Sequence, residues 1–464
     1  SSVSINLGVQ IGLDYNDLSL PSNGHLFTEY VVKASDTIIE NVGDNGGTYD
    51  DGTDTFITGT NPNNYVWYSG KLWRAVSINN EAKTIKLITE REIATLNFNK
   101  YYVPNYEKSY MEEWLNDTSV DGFLGNLREP EKFIETNAKW DATADANELG
   151  SIQKPNGTTI VEHAVGLLNL YEYQSSYHGT NKKRGYLNNG FDWWVLTPTN
   201  LYNLHIISTG ESEEYNSSYL SGVRPSIVLK NDVKIVSGSG TESDPYRLSG
   251  DDDTNLNGVK LNTRYSGEYI KFGTGKNNLY RIVSHETEKL TKITSNEILL
   301  EKSGEILTDQ FGGNTTFSTF GNNIGGFLNI DYINSSNEYL TSEQVNMIDA
   351  NTVWYQGTVD TILNYKLAKY ANETSTSLTS KKTIAKVGLL RYGELMTNKD
   401  ETWYWTITPQ STDSVWFLSD TYATSVRDPS DLLAVKPAMN LKENVVINSG
   451  DGTKNNPFTI ELSN

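Results

Sequence analysis

The sequence predicts an α+β fold in which strands dominate, arranged as two homologous domains behind a long N-terminal β-strand. Three observations support this prediction. Apolar and polar residues alternate without a break at the start of the chain, and several sequence blocks occur twice in the same order. The composition is also rich in aromatic and turn-forming residues, with 28 Tyr, 10 Trp and 37 Gly. Such a composition is typical of sheets joined by many turns.

Residues 1–20 are predicted to form a strand followed by a hinge. Strict alternation indicates a strand with one buried face, and the Pro and Gly of "SLPSNG" supply the hinge. Left exposed, a strand of this kind would template aggregation, so it needs a groove in its own chain or in a neighbouring copy. The apolar face consists of Val3, Ile5, Leu7, Val9, Ile11, Leu13 and Tyr15.

The body of the chain is predicted to hold two copies of one domain, residues 21–249 and 250–464. The recurring blocks are far apart, so they do not fit the short periods of solenoids or propellers. The blocks pair as KLWRAVSI with NLYRIVSH, WLND with FLNI, GLLNLYEY with GLLRYGEL, WWVLTP with YWTITP, and VRPSIVLKND with VKPAMNLKEN.

Local patterns predict the elements of each copy. The stretch from Lys71 to Thr89 has two alternating, β-branched runs separated by a polar turn, which predicts a hairpin. The stretch from Val161 to Tyr173 fits either a helix or a buried strand leading into one. The acidic segment "LSGDDDTNLNG", from Leu248 to Gly258, is predicted to be a solvated linker between the copies.

Charge and cysteine content limit the functional class of the 464-residue chain. The formal net charge of −20 argues against nucleic acid and anionic membranes, which attract clustered Lys and Arg. The chain has no Cys, so disulfides, thiolate metal sites and a cysteine nucleophile are excluded. No apolar run is long enough for membrane insertion. A chain that starts at Ser1 fits either a mature product whose signal peptide was removed or a trimmed piece of a longer sequence.

The motifs "NPNNYVWYSGKLWR", "WWVLTP" and "GVRPSIVLKNDVKIVSGSGTESDPYRL" resemble a family of exported bacterial proteins from Firmicutes and their relatives. Members of this family occur in cell-surface and pilin-like proteins. The second copy departs from the pattern at Tyr404 and Lys436, where the first copy has Trp193 and Arg224. The resemblance implies a secreted, extracellular location at the bacterial cell surface. The WW…RP signature is also faintly similar to C-type-lectin-like domains.

The sequence contains none of the common catalytic motifs of enzymes. The sequence has no nucleophile elbow, zinc-protease helix, phosphate loop or dinucleotide fingerprint, so no enzymatic activity is expected. Asp50, Asp51 and Asp54 offer clustered oxygen ligands of the kind calcium takes, but their spacing does not fit an EF-hand. The favoured interpretation is a set of solvated acidic turns, and no cofactor is expected.

Two further groups of residues admit a functional and a structural interpretation. Trp193 and Trp194 could face a ligand and stack on a sugar ring, or they could pack the two faces of a sheet. Arg224 and Lys436, each followed by Pro, are expected to form structural ion pairs with carboxylates near a sheet end.

These observations lead to two functional hypotheses. The first is a structural subunit of a bacterial surface filament, in which residues 1–15 insert into a neighbouring copy as in donor-strand complementation of pilins. Such head-to-tail addition does not close on itself and gives an open filament. The alternative is a monomeric adhesin whose loops bind a glycan or a host protein. A surface hydrolase has the least support.

Overall fold

The alternating, β-branched segments form strands throughout the part of the chain that the computed structural model describes. The predicted N-terminal strand, from Val3 to Tyr15, lies outside the described residues. The described residues are 33–99, 103–119, 122–144, 153–199, 202–275, 278–287, 289–299, 305, 307–356, 382–391, 394, 403–418 and 425–463.

The first half of the body, residues 33–249, contains four short α-helices and sixteen strands among its described residues. The helices are α1 (Ala34–Glu40), α2 (Tyr110–Leu115), α3 (Pro130–Phe133) and α4 (Leu170–Ser175). The strands are β1 (Gly46–Asp50), β2 (Asp54–Gly59), β3 (Tyr65–Tyr68), β4 (Lys71–Asn79), β5 (Ile85–Thr89), β6 (Ala94–Asn97), β7 (Ala138–Asp141), β8 (Ile160–His163), β9 (Val165–Gly166), β10 (Trp193–Pro198), β11 (Asn203–Ser208), β12 (Glu211–Asn216), β13 (Leu220–Val223), β14 (Ser226–Leu229), β15 (Ile235–Ser237) and β16 (Tyr246–Leu248).

The second half, residues 250–463, has the same strand-dominated character. Its helices are α5 (Ile324–Phe327), which continues into a π-helical turn (Leu328–Tyr332), and α6 (Ser342–Met347). Its strands are β17 (Tyr269–Lys271), β18 (Leu279–Thr287), β19 (Leu290–Ser295), β20 (Thr308–Gln310), β21 (Val353–Tyr355), β22 (Lys382–Ile384), β23 (Val387–Leu389), β24 (Tyr404–Pro409), β25 (Val415–Leu418), β26 (Ser425–Arg427), β27 (Leu432–Ala434), β28 (Pro437–Leu441), β29 (Val445–Ser449) and β30 (Thr459–Leu462).

Each half has two main sheets with matching strand order. The larger sheets run β15-β16-β3-β4-β5-β14-β9 in the first half, with β1 and β2 added beside β4, and β17-β18-β19-β28-β23 in the second. The smaller sheets run β12-β11-β10-β13-β6 and β26-β25-β24-β27-β20. In both smaller sheets the central strand pairs parallel on one side and antiparallel on the other, and is irregular before its terminal Pro. These matching registers support our proposal of a duplicated domain.

Repeated side chains also have the same role in both halves. The side-chain amide of Asn116, in the first "WLND" block, bonds both the N–H and the C=O of Val165, at 3.0 and 3.1 Å. Asn329 in the second block bonds Val387 in the same way, at 3.1 and 2.8 Å. Each Asn therefore satisfies backbone groups at a strand end, which explains why this residue recurs.

Each half has its own large hydrophobic core, and the first half has a second, smaller cluster that includes Trp193. The large core of the first half is formed by its own residues together with Trp416, and that of the second half by residues of the second half. The predicted hairpin is present as β4 and β5. The stretch from Val161 to Tyr173, predicted to be either a helix or a buried strand leading into one, contains β8 and β9 followed by α4. The strand-dominated α+β class is confirmed. Within the described residues, no helix combines the length and the apolar character needed to cross a bilayer.

Candidate binding cleft

The interpretation of Trp193 and Trp194 as ligand-facing aromatics is corrected by the structure, because their side chains are 1% and 0% exposed. The two residues point to opposite faces of β10, and each packs in a hydrophobic cluster. The indole N–H of Trp194 donates to the carbonyl of Leu96 at 2.8 Å, and that of Trp405 donates to Asp309 at 2.9 Å. The repeated Trp is therefore a core residue.

The predicted ion pair of Arg224 is also corrected. Its guanidinium is fully buried and donates to the carbonyls of Thr89 and Leu187, at 3.0 and 2.8 Å. The group also lies 4.7 Å from the centre of the Trp193 ring, which supplies a cation–π contact in place of a carboxylate. Lys436 lies 4.9 Å from the ring of Tyr404 at the matching position of the second half.

The acidic turn proposed for calcium is occupied by protein donors. Asp51 pairs with Lys154 at 2.8 Å, Asp54 accepts from Asn79 at 3.0 Å, and Asp50 accepts from the amide of Gly52. Burial alone would raise the pKa of Asp51, but hydrogen bonds from the protein lower it to about 2. Among the described residues, no group of three His, Cys, Asp or Glu side chains is arranged to hold a metal ion. The expectation that the chain needs no cofactor stays a prediction, and calcium at Asp50, Asp51 and Asp54 stays the disfavoured alternative.

The acidic linker is not solvated as expected. Asp251 is 5% exposed, accepts from the amide of Ser69 at 3.0 Å and pairs with Arg128 at 3.2 Å. Asp253 pairs with Arg128 at 2.5 Å and with Arg264 at 2.9 Å. Because Arg128 belongs to the first half and Arg264 to the second, the linker carboxylates connect the two halves through buried or half-buried ion pairs.

Two glycines allow the backbones of the halves to approach closely beside this linker. Gly70 and Gly267 have φ of +71° and +97°, a backbone region that residues other than Gly rarely adopt. A Cβ atom on Gly267 would lie 2.2 Å from the carbonyl oxygen of Gly70. Next to this contact, the ammonium of Lys71 donates to the carbonyl and hydroxyl of Ser266, at 3.0 and 3.1 Å.

A cleft of about 440 Å³ opens next to this contact and is bounded by both halves. The first half contributes residues 89–93 and 242–245, and the second half contributes residues 296–297 and 453–456. Trp67 and Tyr269, one from each half, also line the cleft, with ring centres 6.1 Å apart. A concave site between two packed units is a common location for a small ligand.

The charged groups of the cleft differ between its floor and its mouth. Lys71 and Arg281 are 3% and 9% exposed, and Arg281 lies 4.7 Å from the Tyr269 ring. Burial, followed by the nearby positive charge of Arg281, lowers the pKa of Lys71 to about 7. Burial likewise raises the pKa of Glu92. The mouth carries exposed acidic residues, among them Glu242.

Among the described residues, two that line the cleft have a buried side-chain atom without a partner in the protein, Thr89 at its hydroxyl and Arg247 at Nε. The hydroxyl oxygen of Thr89, a residue 1% exposed, makes no hydrogen bond. A buried hydroxyl without a partner costs free energy, and native structures rarely keep one without a reason. The sequence carries no signal for a site at Thr89 or Lys71, because both residues occur in strand patterns that also fit ordinary structural positions.

Comparisons with models of protein families, with curated proteins and with solved structures find no match to this chain. The resemblance to exported bacterial surface proteins therefore rests on the motifs quoted above and stays a prediction, as does the faint similarity to C-type-lectin-like domains.

Proposed function

We propose that this chain is a secreted, non-enzymatic binding protein of the bacterial cell surface, and that the cleft between its halves holds a small polar ligand. The observation that carries the proposal is the cleft itself. It is large enough for a small molecule, both halves contribute to it, and it contains a buried cation and a buried hydroxyl without a partner. Convergent polar groups with a perturbed pKa in a concave site are typical of ligand-binding sites.

Three of the six described carboxylates that line the cleft are held by protein donors, which favours binding over acid–base catalysis at those groups. Glu90 pairs with Arg74 at 3.3 Å, and Glu92 accepts from Asn189 at 2.7 Å. Asp451 pairs with Arg247 at 3.3 Å. A catalytic acid or base needs a carboxyl group that can exchange its proton with the substrate. These three groups are already engaged by protein donors.

A thermal-shift screen of the full chain with saccharides, peptides and amino acids tests this function. We expect at least one class to raise the melting temperature, because a ligand that binds only the folded state stabilises it. The same ligand should be recovered chemically unchanged after incubation. Replacing Lys454, which lines the cleft, with Ala should reduce the shift. Lys183→Ala is the control, because Lys183 lines a different cavity in the first half. The proposal would be contradicted if no compound raises the melting temperature, or if the ligand is recovered in hydrolysed form.

A second candidate function is supported by one specific observation, the unbroken alternation from Val3 to Tyr15. In this proposal the chain is a filament subunit, and residues 1–15 add to a sheet of a neighbouring copy. Electron microscopy of the full chain beside a version lacking residues 1–15 distinguishes the outcomes. Filaments from the full chain alone support assembly through the strand. If both proteins are monomers and bind the ligand equally well, the filament proposal is overturned and the binding function stands alone.

A further inference from the structure

Two buried cations lie at the floor of the cleft, whereas the exposed charged residues described at its mouth are three acids and one cation, Lys454. Lys71 and Arg281 are more than nine-tenths buried, whereas Glu242, Asp244 and Glu297 are exposed. A ligand that fits this arrangement carries a negative group at its inner end. Its outer end offers hydroxyl or amide donors to the acidic mouth.

In the described part of the chain, the ammonium of Lys71 has no carboxylate in direct contact with it. The ammonium of Lys71 donates to the carbonyls of Ser69 and Ser266 and to the Ser266 hydroxyl, all neutral oxygens. Among the described residues, no carboxylate lies within 4 Å of this ammonium. Burial and Arg281 disfavour the charged form, and Glu268 and Asp251 only partly offset that effect. A ligand anion at the floor would supply the missing opposite charge, in surroundings where its attraction is stronger than in water.

The remaining lining groups are suited to a sugar. Thr89 offers a buried hydroxyl without a partner, and Asn455 and Asn456 at the mouth carry amides that can both donate and accept. Trp67 and Tyr269 also line the cleft, but they are 4% and 6% exposed and therefore offer a ligand only small edges of their rings. The cavity of about 440 Å³ is at the small end of the range for ligand pockets, which excludes a long polymer held along its length.

We infer that the ligand is a small saccharide, or the end of a glycan, that carries a single carboxylate. This inference rests on the proposed binding function. The carboxylate lies at the floor near Lys71 and Thr89, and the sugar hydroxyls face the amides and acids of the mouth. Saccharides with several negative charges are expected to bind more weakly, because three of the four exposed charged residues described at the mouth are acidic.

Isothermal titration of the full chain tests the inference with four probes. Glucuronate and N-acetylneuraminate carry the carboxylate, whereas glucose and N-acetylglucosamine are neutral counterparts. We expect the acidic sugars to bind at least about tenfold more tightly, the effect of one charge-assisted contact. Their affinity should fall as the pH rises through about 7, because the Lys71 ammonium then loses its proton.

Two substitutions locate the bound sugar. Thr89→Val keeps the shape of the side chain and removes only the hydroxyl without a partner, so the fold should be unaffected and the affinity should fall about threefold to tenfold. Ser226→Ala is the matched control, because its hydroxyl is also buried without a partner but does not line the cleft. This control should bind as the wild-type chain does.

The outcomes separate this inference from the proposed function. If neutral sugars bind as tightly as acidic ones, and Thr89→Val weakens both, the inference is overturned and the binding function is supported. Acidic sugars that bind equally well to the wild type and to Thr89→Val would place the site elsewhere and overturn the inference. If none of the probes binds and the thermal-shift screen is also silent, the binding function itself is overturned.

Discussion

The ammonium of Lys292 donates a 2.7 Å hydrogen bond to the carboxylate of Glu394, in the interior of the second half. The same lysine lies 5.2 Å from the centre of the Trp354 ring. In the first half, Lys86 has the matching partners, the carboxylate of Glu172 and the Trp140 ring. Each glutamate also accepts the backbone N–H three residues before it, at 2.9 Å in both halves. The repeated "GLL…E" blocks thus encode a buried ion pair.

Loss of Glu394 should destabilise the protein strongly. In Glu394→Gln the buried ammonium of Lys292 and the neighbouring Arg391 lose their negative partner, and breaking such a pair costs about 3–5 kcal/mol. Urea unfolding measures the loss. The control is Lys139→Ala, which removes a pair that is largely exposed and should change the free energy of unfolding by less than about 1 kcal/mol. Similar values for the two variants would contradict the account.

The close contact between Gly166 and Trp140 should not tolerate a side chain. A Cβ atom on Gly166 would lie 2.3 Å from the indole, so Gly166→Ala should cost about 1–3 kcal/mol through overpacking. Gly388→Ala should behave similarly, because its Cβ would lie 2.6 Å from Trp354. Gly313→Ala is the control, with no atom within 4 Å of the added carbon. Thermal unfolding of the three variants checks this, and a tolerated Gly166→Ala would contradict it.

Removal of Arg128 should uncouple the two halves. In Arg128→Met the buried Asp251 loses its cationic partner, and Asp253 keeps only Arg264. We expect differential scanning calorimetry to show two separated transitions, because each half has its own hydrophobic core and the contact between them is weakened. The control is Glu129→Ala, which removes a longer ion pair to Arg128 at an exposed carboxylate and should keep the calorimetric profile of the wild type. An unchanged profile in Arg128→Met would show that these ion pairs do not couple the halves.

Lys71 should make stability depend on pH above neutrality. Its pKa in the folded state is lowered to about 7, whereas an unfolded lysine keeps its proton up to about pH 10. Between these values the unfolded state binds more protons, so the free energy of unfolding rises with pH, by up to about 1.4 kcal/mol per pH unit. The wild type should gain stability over this interval relative to Lys71→Met. Parallel pH profiles for the two proteins would rule out a lowered pKa.

The sequence predicted those features that depend on local pattern and repetition. Alternation identified the hairpin that ends at Thr89, and the repeated blocks identified strands that have matching registers in the structure. Core packing of Trp194, whose position Trp405 repeats in the second block, was also one of the two interpretations. These features are local because the side-chain period and the turn residues are determined by neighbouring positions.

The candidate site could not be predicted, because its parts are distant in sequence. Lys71 lies in a hairpin strand where a lysine is normally exposed, and it is buried because residues near Ser266 pack against it. Asp251 lies in an acidic, turn-rich segment, and it is buried because Arg128 is brought beside it. In both cases tertiary contacts override the local preference of the residue for solvent.

The measurement that tests the central claim most directly is a crystal structure of the full chain with N-acetylneuraminate. The account predicts the sugar in the cleft between the halves, with its carboxylate accepting a hydrogen bond of about 3 Å from the Thr89 hydroxyl, on the side of the cleft near Lys71. A sugar bound at another surface, or a cleft that holds only water at a saturating sugar concentration, would contradict it.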